Sequence, residues 1–257
     1  METSRMNERT LRVLQITDTH LYADPEAALW ECVTQTSLQA VLDTVAAELP
    51  ADLVLATGDL VHDGSASGYR RVDAALRALK APVWYLPGNH DDPAVLAAAI
   101  PAAPHRYPAV KYLGGWRFLL LNSTVPDSEG GHLDAPQLDA VSEALAADTT
   151  TPTLVALHHN PVPVGSAWLD TMTVDNGAEL LTRLADHRQV RAVVWGHIHQ
   201  PYDQRQGHLR LVGTPSTCVQ FLPGSAQFAL DASPPGWRWL WLEPDGSLDT
   251  AVTYLPR

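Results

Sequence analysis

The stretch ADLVLATGDLVHDG, residues 51–64, contains the pattern on which the predicted fold depends. Residues 53–56 are a short apolar run, which is typical of a buried strand in a parallel sheet. Gly58 and Asp59 follow this run, and glycine allows the backbone to turn sharply close to a ligand. Open α/β sheets place their sites at the carboxyl ends of strands, and the two oxygens of a carboxylate can hold two cations. Taken alone, Gly58-Asp59 is more simply interpreted as a turn or a helix cap.

Polar clusters also follow four other predicted strands, which cover residues 11–16, 82–86, 154–157 and 190–195. These clusters are Asp18-x-His20, Gly88-Asn89-His90-Asp91, His158 and Gly196-His197-x-His199. Each cluster by itself is more often structural than functional. Because the carboxyl ends of adjacent parallel strands meet at one edge of a sheet, we expect the five clusters to converge in space.

The rest of the chain predicts helices in its first part and mostly antiparallel strands in its second. Helices are predicted at residues 33–49, 94–100 and 136–147, from an N-cap at Ser67 to about residue 80, and from an N-cap at Asp175 to residue 185. Further strands are predicted at residues 116–121, 208–212, 227–230, 237–242 and 247–255. Trp237, Trp239 and Trp241 alternate with other residues, which predicts that they line one buried sheet face. We therefore expect an α/β fold in which two sheets pack face to face with helices outside. The predicted organisation is a single domain, residues 1–257, with a flexible N-terminus at residues 1–10.

The composition excludes several functional classes. The net charge is −12 and the basic residues form no stripe, which argues against a protein that tracks a nucleic-acid backbone. No apolar run is long enough to span a bilayer, and the polar N-terminus lacks the apolar core of a signal peptide. Cys32 and Cys218 do not form a Cys-x-x-Cys pair, so we expect free thiols in a reducing cytoplasm and no thiolate metal site.

The side chains in the five clusters are of the types that bind certain divalent metals. Carboxylate oxygen, amide oxygen and imidazole, without thiolate, suit Mn, Fe or Zn. One carboxylate shared between two half-sites would give a two-metal centre, in which metals about 3.5–4 Å apart activate a water and clamp the oxygens of a phosphoryl group. The sequence thus predicts metal-assisted hydrolysis of a phosphate ester.

The five clusters together, from Asp18 to His199, resemble the motifs of the calcineurin-like metallophosphoesterases. Further stretches resemble the class III cyclic nucleotide phosphodiesterases within that family; they cover residues 15–21, 166–170, 196–200, 215–221 and 235–238. The resemblance implies a four-layer αββα sandwich of two mixed β-sheets flanked by helices. It also implies hydrolysis of 3′,5′-cyclic AMP to 5′-AMP with two divalent cations, Fe, Mn or Zn. From the composition we expect a cytoplasmic protein without nucleic-acid or membrane partners, either a monomer or a homodimer.

The resemblance also implies a role for each residue of the clusters. Asp18, His20, Asp59 and His199 would hold one metal, and Asp59, Asn89, His158 and His197 the other, with Asp59 bridging. His90 would assist the leaving oxygen, with Asp91 as a candidate orienting partner; Asp59 completes the catalytic set. The substrate would contact His20, Asp59, Asn89, His90, His158 and His199.

Two functions other than hydrolysis of cyclic AMP are alternatives for this sequence. One is a phosphodiesterase of broader specificity, acting on 2′,3′-cyclic nucleotides, glycerophosphodiesters or other small diesters. The other is an interaction scaffold without activity, which is disfavoured because every ligand position of the motif is filled. Residues 165–174 and 214–221 carry no metal motif, and we expect them to shape the base and ribose side of the pocket. Trp168 is either a lid or stacking residue there or a packed anchor of its loop.

Overall fold

The computed structural model describes residues 9–48 and 50–256. In chain order the strands described are β1 (Leu11–Ile16), β2 (Ala28–Leu29), β3 (Cys32–Val33), β4 (Leu53–Thr57), β5 (Val83–Leu86), β6 (Ala109–Leu113), β7 (Trp116–Leu120), β8 (Thr153–Ala156), β9 (Val190–Trp195), β10 (Tyr202–Gln206), β11 (Leu209–Gly213), β12 (Gln220–Phe221), β13 (Leu230–Asp231), β14 (Gly236–Leu242) and β15 (Leu248–Tyr254). The helices are α1 (Thr34–Ala46), α2 (Ala66–Arg77), α3 (Pro93–Ala99), α4 (Ala135–Ala147) and α5 (Gly177–Ala185), with a short 3₁₀ helix at Leu169–Thr171.

Two mixed sheets form the centre of the molecule. The first has the order β15-β14-β1-β4-β5, in which β1, β4 and β5 run parallel and β14 runs antiparallel to both neighbours. The second has the order β10-β11-β9-β8-β7-β6, in which the four inner strands run parallel and both edge strands antiparallel. Pairs β2–β3 and β12–β13 form two small hairpin-like sheets.

Three apolar clusters define four layers. Alternate residues of β1, such as Leu14 and Ile16, pack with α1, α2 and α3 on the outer face of the first sheet. The intervening residues, such as Leu11 and Val13, pack against the inner face of the second sheet. The outer face of the second sheet packs against α4 and α5. The predicted αββα sandwich of two mixed sheets is confirmed, because period-two alternation in the strands supplies both faces.

Several local predictions need correction. Ser65, not Ser67, caps α2, because its Oγ accepts from the backbone N of Gly68 at 3.2 Å. Asp175 does not cap α5, which starts after Asn176 without a side-chain cap. Of residues 227–230 only Leu230 is in a strand, and β12 supplies its partner. Strands β6 and β10 were not predicted, because both are edge strands with exposed positions and β10 is polar after Tyr202.

The predicted tryptophan face is correct. Trp237 and Trp239 are buried in the cluster beneath the first three helices, and Trp241 packs half-buried against it. Helix α1 ends at Ala46, before its predicted end at residue 49, which itself lies outside the described residues. Residues 1–8 of the predicted flexible N-terminus also lie outside them, whereas Arg9 and Thr10 bond to Asp52 and Glu243. Within residues 9–48 and 50–256, no helix has both the length and the apolar character needed to cross a membrane.

Candidate metal centre

The five predicted clusters converge at one end of the sandwich. Three of them follow β1, β4 and β5 of the first sheet, and two follow β8 and β9 of the second. Backbone hydrogen bonds connect the loops: the N–H of Asp18 donates to Gly58 at 3.0 Å, and that of Gly196 donates to His158 at 3.1 Å. We expected the clusters to meet at one edge of a single sheet. In the structure they meet instead at the carboxyl ends of strands from both sheets.

The backbone of the cluster is strained at five positions. The residues with φ between 45° and 65° are Asp18, His20, Asp59, His197 and His199. Residues other than glycine seldom adopt this left-handed region, and each such residue costs about 1–3 kcal/mol where the surrounding structure enforces it. Strain of this kind is concentrated at functional sites, and here it occurs at five of the seven predicted metal ligands.

Two glycines allow the loops to approach one another. A Cβ atom on Gly58, whose φ is +96°, would lie 2.5 Å from Nδ1 of His158. A Cβ on Gly88 would lie 2.2 Å from Oδ1 of Asp59. Glycine is therefore required at both positions for the side chains of Asp59 and His158 to meet.

One group of four predicted ligands surrounds a common point. Nε2 of His20 lies 3.2 Å from Nε2 of His199 and 3.6 Å from Oδ2 of Asp59. Oδ1 of Asp18 lies 3.3 Å from Nε2 of His199. The ligand atoms of Asp18, His20 and His199 all lie within 4.8 Å of one another, and the three side chains are buried.

A second group lies on the other side of Asp59. Oδ2 of Asp59 is 3.4 Å from Nε2 of His158. Oδ1 of Asn89 is 3.1 Å from both Nε2 of His158 and Nδ1 of His197. The same carboxylate oxygen, Oδ2 of Asp59, thus faces a histidine nitrogen of each group.

The outer nitrogens of two histidines are held by the backbone. Nδ1–H of His158 donates to the carbonyl of Thr57 at 2.9 Å, and Nδ1–H of His199 donates to that of Val219 at 2.8 Å. When the rings are neutral, these bonds leave the lone pair of each Nε2 directed into the cluster. Backbone carbonyls that fix the outer ring nitrogen in this way are typical partners of metal-binding histidines.

The charges of the cluster also fit a cation. Burial raises the pKa of Asp59, but His158 and His20 outweigh burial and hold that pKa well below its usual range. Burial lowers the pKa of His197 to about 3 and that of His20 well below its usual value. Burial also lowers the pKa of His158, but Asp59 outweighs it and raises the pKa to about 9. A cation would supply the positive charge that His158 otherwise takes up as a proton, so the donor set fits a divalent metal.

His90 and Asp91 have different surroundings. The backbone N–H of His90 donates to Oδ1 of Asp59 at 2.9 Å, and its side chain lines the cavity beside the cluster. The buried carboxylate of Asp91 accepts backbone N–H groups of Gly88, Leu60 and Val61 at 2.8–3.1 Å. These bonds give Asp91 a role in joining two loops, and they do not support its prediction as the orienting partner of the His90 ring.

Two histidines near the cluster were not predicted as part of it. Nδ1 of His62 lies 3.2 Å from Nδ1 of His20, and its ring stacks on His90 with centroids 4.4 Å apart. His62 belongs to the stretch quoted first, three residues after Asp59, which is the signal that could have found it. His159 is buried, with Nδ1 2.8 Å from Oγ of Ser123 and its ring centroid 4.7 Å from that of His197.

A cavity of about 740 Å³ opens beside the cluster. His20, Asp59, Asn89, His90 and His199, five of the predicted substrate contacts, line it. The sixth, His158, is fully buried and does not line the cavity, so its position does not support a contact with substrate.

The two predicted substrate segments contribute unequally to the lining. Residues 168, 169, 171 and 172 line the cavity, as expected for the first segment. In residues 214–221, all of which are described, only Phe221 does so. Ser216 instead contacts the backbone of a predicted ligand, because its Oγ donates to the carbonyl of Asp18 at 2.8 Å.

The fold is that of a phosphoesterase, and this arrangement of carboxylates, amide and imidazoles suits divalent metals. The chain belongs to the calcineurin-like phosphoesterase family, whose pattern residues 11–201 match. It is 40% identical over 247 residues to the 3′,5′-cyclic adenosine monophosphate phosphodiesterase CpdA of Pseudomonas aeruginosa, covering 96% of this chain and 90% of that protein. It is 42% identical over 249 residues to CpdA of Escherichia coli (strain K12), covering 95% and 90%.

Solved structures share the fold. A dimetal phosphatase from Danio rerio superposes with a TM-score of 0.64 over 96% of this chain and 100% of that chain, at 15% identity. The purple acid phosphatase PPD1 from yellow lupin gives a TM-score of 0.64 over 95% of this chain and 53% of that chain, at 13% identity. At such identities the likeness shows the fold alone.

Proposed function

We propose that this protein hydrolyses 3′,5′-cyclic AMP to 5′-AMP at a centre that holds two divalent cations. The observation that supports this most strongly is the position of Oδ2 of Asp59, which faces His20 on one side and His158 on the other. Identity of 40–42% to relatives named cyclic AMP phosphodiesterases, over 95–96% of the chain, supports the substrate.

The proposed ligand sets follow the two groups of side chains. One cation is held by Asp18, His20, Asp59 and His199, and the other by Asp59, Asn89, His158 and His197. Fe, Mn and Zn all suit these oxygen and nitrogen donors. When bound, such a pair of cations lowers the pKa of a shared water and neutralises charge on the phosphoryl group.

His90 is the proposed general acid. Its ring faces the cavity, and its backbone N–H is anchored on the carboxylate of Asp59 at 2.9 Å. There it can donate a proton to the 3′ oxygen as the bond from this oxygen to phosphorus breaks. The proposed role of Asp91 is indirect. Its bonds to Gly88, Leu60 and Val61 hold the loop that carries His90 against the loop that carries Asp59.

The cellular setting is also a proposal. We propose a single domain of residues 1–257, a cytoplasmic location, and a monomer or homodimer that binds neither nucleic acid nor membranes. The net charge of −12 supports the absence of a nucleic-acid partner, and the free thiols of Cys32 and Cys218 fit a reducing compartment.

The test is a rate comparison with protein reconstituted with a defined metal. The panel contains 3′,5′-cyclic AMP, 3′,5′-cyclic GMP, 2′,3′-cyclic AMP and a glycerophosphodiester, and products are separated by chromatography. We expect the 3′,5′-cyclic nucleotides to have the highest kcat/KM and 5′-AMP to be the product from cyclic AMP. Faster hydrolysis of the 2′,3′-cyclic or linear diesters would favour the broader phosphodiesterase instead.

A further inference from the structure

Four aromatic side chains form a continuous surface on one side of the cavity, which we call the aromatic wall: Trp30, Trp168, Phe221 and Phe228. The rings of Trp30 and Phe228 stack with centroids 5.1 Å apart and an interplanar angle of 27°. Trp168 meets Phe221 and Phe228 edge to face, at 5.0 and 5.3 Å. Trp168 therefore supports the wall from the side, while Trp30 and Phe228 form its outer part.

The wall joins the metal cluster directly. The ring of Phe221 stacks on that of His199, with centroids 4.2 Å apart and an interplanar angle of 13°. A molecule whose phosphate lies at the cluster would thus have its remaining part beside the wall. The cavity of about 740 Å³ has both the cluster and the wall in its lining.

The backbone of Trp30 adopts a strained conformation. It is the first residue of the two-residue turn between β2 and β3, and its φ is +51°. Hairpin turns that need positive φ at this position prefer glycine, and a bulky residue there is strained. Backbone strain in a residue that lines a functional cavity is a recognised sign of function.

The outer wall also exposes apolar surface to solvent. Trp30 is 47% exposed and Phe228 is 48% exposed, in a chain whose other tryptophans are buried or half-buried. Apolar surface of this kind, next to polar groups, is typical of ligand-binding clefts.

From these observations, and resting on the proposed function, we propose that Trp30 and Phe228, together with Phe221, form the platform on which the nucleobase of the cyclic nucleotide stacks. Stacking recognises the face of a base and not the hydrogen-bonding groups at its edge, so it accepts adenine and guanine alike. A bicyclic purine covers more of the wall than a pyrimidine does. The wall therefore favours cyclic purine nucleotides over cyclic pyrimidine nucleotides, because the larger base buries more apolar area.

The test measures binding without turnover. Calorimetric titrations of the metal-loaded protein use 5′-AMP, 5′-CMP and ribose 5-phosphate, which share the phosphate and differ in the base. We expect AMP to bind more tightly than CMP, and CMP more tightly than ribose 5-phosphate. Removal of one stacking ring costs about 5-fold to 150-fold in affinity, so Trp30→Ala and Phe228→Ala should weaken AMP binding by this factor and leave ribose 5-phosphate binding unchanged.

Two further variants serve as controls. Trp30→Phe keeps an aromatic face and should retain most of the AMP affinity. Tyr112→Ala removes a 62% exposed aromatic ring from edge strand β6, outside the cavity, and should change nothing. Melting temperatures of all variants establish that each is folded.

The outcomes separate this proposal from the proposed function. Equal affinities for AMP and ribose 5-phosphate in the wild type would overturn the platform. It would also be overturned if the Trp30 and Phe228 variants preferred AMP over ribose 5-phosphate by the same factor as the wild type. If light scattering shows that Trp30→Ala splits a dimer while AMP affinity is unchanged, the wall is a subunit interface and the proposal is wrong. Failure of the wild type to hydrolyse cyclic AMP, with AMP binding as expected, would overturn the proposed function alone.

Discussion

Nδ1 of His62 lies 3.2 Å from Nδ1 of His20, and one of the two nitrogens must carry the hydrogen between them. When Nε2 of His20 offers its lone pair to a cation, its hydrogen is on Nδ1, and His62 is the acceptor. We propose that His62, by accepting this hydrogen, stabilises the tautomer of His20 that can bind metal, a function that outer partners of metal-binding histidines commonly have.

His62→Phe tests this relationship, because the phenyl ring can still stack on His90 but cannot accept the hydrogen. Loss of such an outer partner typically lowers metal affinity about 10-fold to 100-fold, and we expect a decrease in this range. Competition with a chromophoric chelator measures it. His132→Phe, at an exposed histidine paired with Asp175, is the matched control and should leave the affinity unchanged. An unchanged affinity in His62→Phe would show that the bond to His20 has no effect on metal binding.

Asp59→Ala is expected to remove both cations and nearly all activity, because Oδ2 of Asp59 is the atom that faces both ligand groups. The measurement is metal content per chain by mass spectrometry after reconstitution. Asp63→Ala removes a nearby carboxylate that accepts the backbone N–H groups of Ala23 and Ser65 and is not a predicted ligand, and it should keep both metals. Two metals per chain and normal turnover in Asp59→Ala would contradict the bridging role.

Chelation is expected to abolish hydrolysis, and Mn²⁺ or Fe²⁺ should restore it. A ligand that binds only the folded state also stabilises it by mass action. We therefore expect the melting temperature to fall after treatment with chelator and to rise again when metal is added. Activity that persists after exhaustive chelation, verified by metal analysis, would count against the two-metal proposal as a whole.

The five clusters were predictable because each combines two local signals, an apolar run and the polar residues directly after it. The spatial arrangement of the clusters was less predictable, because no local pattern indicates that β8 and β9 belong to a second sheet. His62 is in the stretch quoted first, yet its contact with His20 depends on how two loops pack. The strained backbone of Trp30 was not predictable either, because tertiary contacts enforce a conformation that its sequence disfavours. Edge strand β10 carries no apolar alternation and is defined only by its pairing with β11.

Gly58→Ala is expected to lower both stability and metal content. Positive φ costs a non-glycine residue about 1–3 kcal/mol, and the new methyl group would also lie 2.5 Å from Nδ1 of His158. Gly115→Ala is the matched control, because its φ is +82° and nothing lies within 4 Å of its Cβ position. Both variants should melt at lower temperature, but only Gly58→Ala should lose metal. Equal metal contents in the two variants would mean that His158 tolerates the displacement.

His90→Ala tests the proposed general acid by comparing two leaving groups. The 3′ oxygen of a cyclic nucleotide is a poor leaving group that needs a proton, whereas nitrophenolate departs readily as an anion. Removal of a positioned acid typically costs about 10²–10⁴-fold in rate, and the effect is realised in the transition state rather than in substrate binding. We expect kcat for cyclic AMP to fall by such a factor, kcat for a nitrophenyl phosphodiester to fall much less, and both metals to remain bound. Equal losses for the two substrates, with metals bound, would mean that His90 acts on the phosphoryl oxygens or the nucleophile. Loss of metal would mean that it only supports the loop of Asn89.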